Sequence, residues 1–203
     1  MQVGMLEVGP IGTNCYILID ETKKVCAVID PGDEAHLIAA SVEKMDCKPC
    51  AIMLTHGHYD HTNGVAELQK KWPEVPVYMN HRDVYTEDTR MMQLFPPLEG
   101  LKDYDEGDVI RVGDLKVEVM ATPGHSLGSV TLRCGDVLFC GDTLFAGSCG
   151  RTDFPGGSMQ TIMASLKRLG ELEGEYQVCP GHMNTSELSR ERMSNPYMMR
   201  AMK

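Results

Sequence analysis

The sequence predicts an α/β fold: one domain of two sheets with helices packed on the outside. Three observations carry that prediction. The 203 residues suit a single domain, for which roughly 100–200 residues is ordinary. In the first half, short β-rich runs alternate with segments of helical period. In the second half four strand-like runs precede one amphipathic helix, and both halves end strands in loops bearing histidine or aspartate. Sheets covered by outer helices satisfy both patterns.

Taken in order, residues 14–20 (NCYILID) and 24–30 (KVCAVID) read as strands, the second stopped by Pro31-Gly32. Asp33 then reads as the N-cap of a helix over EAHLIAASVEKM, where Leu37, Ile38, Val42 and Met45 recur at helical spacing. CAIMLT (50–55) is a strand that runs into a histidine-rich turn. Gly64 to Trp72 is helical in pattern until Pro73, and VPVYM (75–79) is a strand. Residues 81–107 read as an irregular bridge, because Pro96-Pro97, Gly100 and an acidic stretch at 103–108 favour a loop or lid. Strands follow at 108–112, 115–121, 129–134 and 136–141. A Gly-rich segment at 146–157 leads to a helix from Ser158 to Leu169, with Met159, Ile162, Met163, Leu166 and Leu169 on one face. A strand at 176–179 and a short polar helix after Thr185 end the chain.

Composition excludes several functions. No apolar run approaches the roughly 20 residues that span a bilayer, and the N-terminus has neither the basic nor the apolar region of a signal peptide. A cytoplasmic protein without a membrane partner is expected. The net charge of −10 argues against nucleic acid, which is held by neutralising phosphates. Eight cysteines are scattered along the chain, and a cytosolic chain of this length needs no disulfide framework. The one close pair, Cys47 and Cys50, lacks the second pair of a structural zinc site and reads as inert.

The chemistry lies in loops that follow strand-like runs, where sites are usually built. His56, His58 and Asp60 alternate, so on extended backbone their side chains project to one side. His61 points elsewhere and could serve a second ion. Imidazole suits zinc, iron and similar metals, and carboxylate adds a hard, charged ligand. Burying such a group without a cation would be costly. His125 and His182 each follow Pro-Gly directly after a strand, one local design used twice. Asp142 follows Gly141 at the end of a buried strand and wants a cation. His36 and His81 lie outside any ligand-spaced cluster and read as surface or core-edge residues.

These motifs resemble a known family. T-H-x-H-x-D-H at 55–61, T-P-G-H-S-x-G-S at 122–129, G-D-T-L-F at 141–145 and P-G-H at 180–182 occur in this order. Together they resemble the metallo-β-lactamase superfamily, and within it the glyoxalase II-like hydrolases, from about Asn14 to Pro196. The resemblance implies an αβ/βα sandwich of four layers, two mixed sheets with outer helices, and a dinuclear site at their edge. It implies one metal on His56, His58 and His125, a second on Asp60, His61 and His182, and Asp142 bridging both. The two divalent ions would be zinc first, with iron and manganese as alternatives. The activity implied is hydrolysis of a thioester of the hydroxyacylglutathione (S-lactoylglutathione) type by a metal-bridging hydroxide, with Asp60 orienting the nucleophile.

Finer details sort the branches. True β-lactamases lack the aspartate that stands here as Asp142, and the diiron oxygen reductases carry glutamate where this chain has His58. Few residues follow His182, so the helical C-terminal extension of full-length glyoxalase II is not expected, and residues 1–203 are expected to be one domain. The segment GRTDFPGG resembles the short bacterial subgroup. Its GRTDF part is shared with the persulfide dioxygenases, whose single iron would sit here on His56, His125 and Asp142; that oxidoreductase is the alternative reading. Arg151 is the candidate for meeting a substrate carboxylate, although pairing with Asp153 to fix the loop is favoured. Arg190 and Arg192 read as a solvated face, and Met91, Met92 and Met183 as an entrance lining.

Overall fold

Apolar runs long enough to be covered on both faces dominate the chain's first sheet. The computed structural model describes residues 1–85 and 88–203. Strands β1 (Gln2–Val8) and β2 (Thr13–Asp20) form an antiparallel hairpin, and β2 continues antiparallel to β3 (Val25–Ile29). Every residue of β2 is buried, whereas β1 is mostly exposed or half-buried at the sheet's edge. That exposure, with Gly4 and Glu7 breaking the alternation, hides β1 from its sequence.

From β3 the chain crosses through α1 (Ala35–Lys44) to β4 (Lys48–Met53), which lies parallel to β3. Helix α1 buries Ala35, Ile38, Ala39 and Val42. Leu37 is exposed on the far side of that stripe. Glu34, with φ of 50°, holds the N-cap position expected of Asp33, whose carboxylate instead accepts the Glu34 N–H at 2.7 Å. The short turn α2 (Tyr59–Thr62) and α3 (Val65–Lys71) lead to β5 (Val77–Met79), parallel to β4. The bridge over 81–107 is more regular than its composition suggests. It holds a 3₁₀ turn at His81–Asp83, α4 (Thr89–Leu94) and the edge strand β6 (Leu101–Asp103). Each is too short to show a period, and residues 86 and 87 of that bridge lie outside the described residues.

The second sheet opens as an antiparallel meander, β7 (Val109–Val112), β8 (Leu115–Ala121), β9 (Val130–Cys134) and β10 (Val137–Gly141). A small hairpin, β11 (Leu144–Phe145) and β12 (Ser148–Cys149), occupies part of the Gly-rich segment. Helix α5 (Met159–Gly170) starts where expected, its cap the Ser158 hydroxyl accepting from Thr161 N–H. Strand β13 (Gln177–Pro180) runs parallel to β10, and β14 (Ser186–Glu187) antiparallel to β13. Where one polar helix is expected there are two, α6 (Leu188–Ser194) and α7 (Pro196–Ala201). Asn195 separates them by capping α7 ahead of Pro196.

The strand orders are β1-β2-β3-β4-β5-β6 and β14-β13-β10-β9-β8-β7, and both sheets are mixed. Between them Tyr16, Leu18 and Ile29 meet Val119, Leu132 and Phe139. The outer face of the first sheet, with Ile17 and Ile52, packs on Ile38 and Leu68, and that of the second, with Leu138, packs on Leu166 and Met198. The layers are therefore helix, sheet, sheet, helix, as expected. Cys47 and Cys50 pack against different cores. Arg192 is half-buried and donates to the carbonyls of Gly170, Leu172 and Gly174, so it ties down the end of α5 and is not part of a solvated face. Among the described residues no helix is long and apolar enough to cross a membrane.

Candidate metal centre

Four strands deliver the site from their C-terminal ends. The segment after β4 carries His56, His58, Asp60 and His61; those after β8, β10 and β13 carry His125, Asp142 and His182. Because β8, β10 and β13 run in the same direction, their ends share one edge of the second sheet. The turn α2 changes the local picture from extended backbone. His58 is its extended N-cap, while Asp60 and His61 lie within the helical turn, which swings His61 beneath the site.

All seven residues converge. One potential ligand atom each from His56, His58 and His125 lie within 4.8 Å of one another, and so do those of Asp60, His61 and His182. Asp142 stands between the two groups, with Oδ1 3.4 Å from His61 Nε2 and Oδ2 3.5 Å from His125 Nε2 and 3.7 Å from His182 Nε2. His36 is exposed, and His81 pairs with Asp103 on the surface.

The donor set fits cations. His56 Nε2, His58 Nε2, His61 Nε2 and Asp142 Oδ1 are buried with no hydrogen-bond partner. An unsatisfied buried polar atom costs roughly 1–3 kcal/mol, so a positive charge placed among these atoms would be stabilising. Burial, reinforced by the neighbouring imidazoles, holds His56 well below the ordinary histidine range and takes His58 down to about 3. Burial opposes ionisation of Asp142, yet His61, His125 and His182 around it keep its carboxyl far below the usual carboxylate range. Burial likewise opposes protonation of His61, and Asp142 and Asp30 outweigh it, raising that imidazole. His56 and His58, held neutral beside fixed carboxylates, are ready ligands.

Partners behind the site fix the rings. Asp30 Oδ2 lies 3.0 Å from His61 Nδ1 and accepts the Thr55 hydroxyl at 2.6 Å. His125 Nδ1 is 2.8 Å from the Arg151 carbonyl, and His182 Nδ1 3.3 Å from that of Gly12. Each leaves Nε2 turned inward, the usual second-layer arrangement of a metal site. Asp83 joins two of the loops, accepting from Gly57 N at 3.0 Å, Ser126 Oγ at 2.6 Å and Gly128 N at 2.7 Å. Sequence reasoning missed both carboxylates. Asp30 had a signal, since it ends a buried strand as Asp142 does; Asp83, in the irregular bridge, had none. Gly181 lets the chain pass Asp142 and His61 closely, because a Cβ there would overlap both side chains.

The site opens through a cavity of ≈ 530 Å³ whose floor carries His58, Asp60, His125, Asp142 and His182. Arg151 lies on its rim, forked to Asp153 through Nε–Oδ1 at 2.7 Å and Nη2–Oδ2 at 2.6 Å. Met183 lines the entrance. Met91 is buried in the protein instead, and α4 presents Leu94 to the cavity in place of Met91 and Met92.

Comparison with known proteins agrees with this geometry. The family described as "Metallo-beta-lactamase superfamily" matches residues 8–182. A probable metallo-hydrolase, YqgX of Bacillus subtilis, is 34% identical over 95% of each chain. The hydroxyacylglutathione hydrolase GloC of Haemophilus influenzae is 29% identical over 98% of each. Among solved structures, the BLEG-1 B3 metallo-beta-lactamase superposes with a TM-score of 0.85 at 29% identity, over 97% of this chain and 99% of that one. ETHE1 from Myxococcus xanthus gives 0.84 at 28%, over 97% and 84%. TTHA1623 in a di-iron-bound form gives 0.81 at 33%, over 96% and 99%.

Proposed function

Because the chain belongs to the metallo-beta-lactamase superfamily, we propose that it hydrolyses thioesters at a pair of divalent cations, with a substrate of the hydroxyacylglutathione type. One observation carries the reading: two triads of ligand atoms flank Asp142, and three buried imidazole nitrogens and one carboxylate oxygen among these residues lack partners. His56, His58 and His125 would hold one ion, Asp60, His61 and His182 the other, with Asp142 between them. Bound there, such ions supply Lewis acidity that polarises a carbonyl and lowers the pKa of water from about 15.7 to about 7.

The chain's own groups do the rest. Asp60 stays a carboxylate: burial opposes this, but His182 at 3.2 Å and His61 hold it below its ordinary range. Its Oδ2 also accepts the Thr13 hydroxyl at 3.4 Å, so Asp60 is fixed to accept a hydrogen bond from an attacking water and aim it at the acyl carbon. A thiol of pKa about 8.5 leaves as thiolate, so no general acid is required. Zinc suits the imidazole and carboxylate set, with iron or manganese as alternatives. The GloC relative supports the hydroxyacylglutathione substrate.

The likeness to ETHE1 supports a second reading, a persulfide dioxygenase with one iron on His56, His125 and Asp142. Metal analysis of the natively purified protein, with thioester and persulfide assays on the same preparation, separates the two. Two ions per chain and release of lactate from S-lactoylglutathione are expected. One iron per chain with oxygen uptake on a persulfide would replace the hydrolase by the oxidoreductase.

A further inference from the structure

The reacting centre accounts for the floor of the cavity and leaves its walls unexplained. Ile11 at the tip of the β1–β2 turn, Tyr59 in α2 and Met183 after β13 are 52%, 38% and 60% exposed, and all three border the same opening. Leu94, Phe145 and Phe154 complete the wall. Single exposed apolar residues are ordinary. Six from separate stretches of chain around one concavity make a surface for a ligand.

Charge on the rim points the same way. Among the described residues lining the cavity, Arg151 is the only lysine or arginine. Both oxygens of Asp153 occupy its fork, and its guanidinium lies 3.8 Å from the centre of the Phe154 ring. The bidentate site that a substrate carboxylate would use is therefore taken. The remaining ionised groups that line the cavity, Asp60 and Asp142, are themselves negative and face the metal centre.

Resting on the thioester reading above, we infer that the substituent filling this mouth is apolar and uncharged, an alkyl or aryl group carried on the acyl or the thiol side. Hydroxyacylglutathiones are then one part of a wider class, their peptide charges left in solvent. Ile11, Met183 and Phe154 select the substrate by contact area. Each methylene that enters raises kcat/KM by up to about fourfold.

The test uses the metal-loaded full chain and two series. One lengthens the acyl group on glutathione from acetyl to hexanoyl; the other keeps a lactoyl group and varies the thiol from glutathione to N-acetylcysteamine to hexanethiol. At least a tenfold rise in kcat/KM along one series is expected, and that series identifies the side that enters. Replacing glutathione by the neutral N-acetylcysteamine is expected to change kcat/KM less than threefold. Ile11→Ser and Met183→Ser, both at exposed positions, flatten the slope. Affinity of the unreactive thioethers S-methyl- and S-hexylglutathione, measured by calorimetry, reads the wall without turnover. Tighter binding of the hexyl compound supports the inference even if no thioester is cleaved, in which case the hydrolase reading alone falls. Equal binding of the two, flat series, or a tenfold loss with the neutral thiol overturns it.

Discussion

Asp142 is the residue that stands between both halves of the candidate site. It faces His61, His125 and His182 at once, and its Oδ1 is buried without a hydrogen-bond partner. Asp142→Ala is expected to lower turnover by on the order of 10²–10³-fold or more and to lose bound metal, with the circular dichroism spectrum unchanged. A variant that keeps its metal would show that Asp142 is not a shared ligand. Protonation is also decided residue by residue. His56 and His58 have folded pKa values below those of the unfolded chain, so the unfolded state takes up protons first as pH falls. Their contribution is fully present above about 6.5 and is lost on acidification, for His58 down to about 3. His61 and His182 are shifted upward, and below about 6.5 they are protonated in both states and add no slope. The metal-free protein should therefore lose thermal stability as pH is lowered from 6.5, and His58→Gln should lose less. An equal fall in both proteins would contradict the shift at His58.

At the scale of elements, the C-terminal helices hold part of the cavity wall. Asn195, fully buried, donates to the carbonyls of Phe145 at 3.2 Å and Ser148 at 2.9 Å while capping α7. Glu191, also buried, accepts Gly147 N at 2.8 Å and Asn195 Nδ2 at 2.9 Å. The hairpin β11–β12, which brings Phe145 and Cys149 to the cavity, is thus fastened from behind. Loss of the cap is worth about 1 kcal/mol, and the two lost hydrogen bonds to the hairpin carbonyls add roughly 0.5–1.5 kcal/mol each. Asn195→Ala should therefore destabilise by about 2–4 kcal/mol in urea unfolding, and a loss under 0.5 kcal/mol would show the network to be slack. The same elements show what could be read in advance. Strands β2, β3 and β10 announce themselves because continuous burial demands continuous apolar sequence. The hairpin β11–β12 and strands β1, β6 and β14 do not, since two- and three-residue strands and an exposed edge leave no period to detect.

At the scale of the whole molecule, the fold is a device for bringing distant loops to one edge. The candidate ligands were legible because metal chemistry restricts residue type and spacing, so His56, His58, Asp60 and His61 stand out before any fold is known. Asp83 was not, because a carboxylate that hydrogen-bonds backbone N–H groups leaves no pattern along the chain, and Asp30 shows only the buried strand end that it shares with Asp142. Ligand atoms drawn from both sheets also make metal binding part of stability. At ion concentrations about 1,000 times Kd, a bound ion adds roughly 4 kcal/mol, and for a chain of this size each kcal/mol moves Tm by about 2–4 °C. Removing the ions with a chelator should lower Tm by about 10 °C or more, reversibly on adding zinc; an unchanged Tm would mean that the site holds no tightly bound ion.

The most direct measurement is anomalous diffraction from crystals of the metal-loaded protein. Two peaks are predicted, one among His56, His58 and His125 and the other among Asp60, His61 and His182, with Asp142 in contact with both. A single peak on His56, His125 and Asp142, or none at this edge of the sheets, would contradict the two-ion centre.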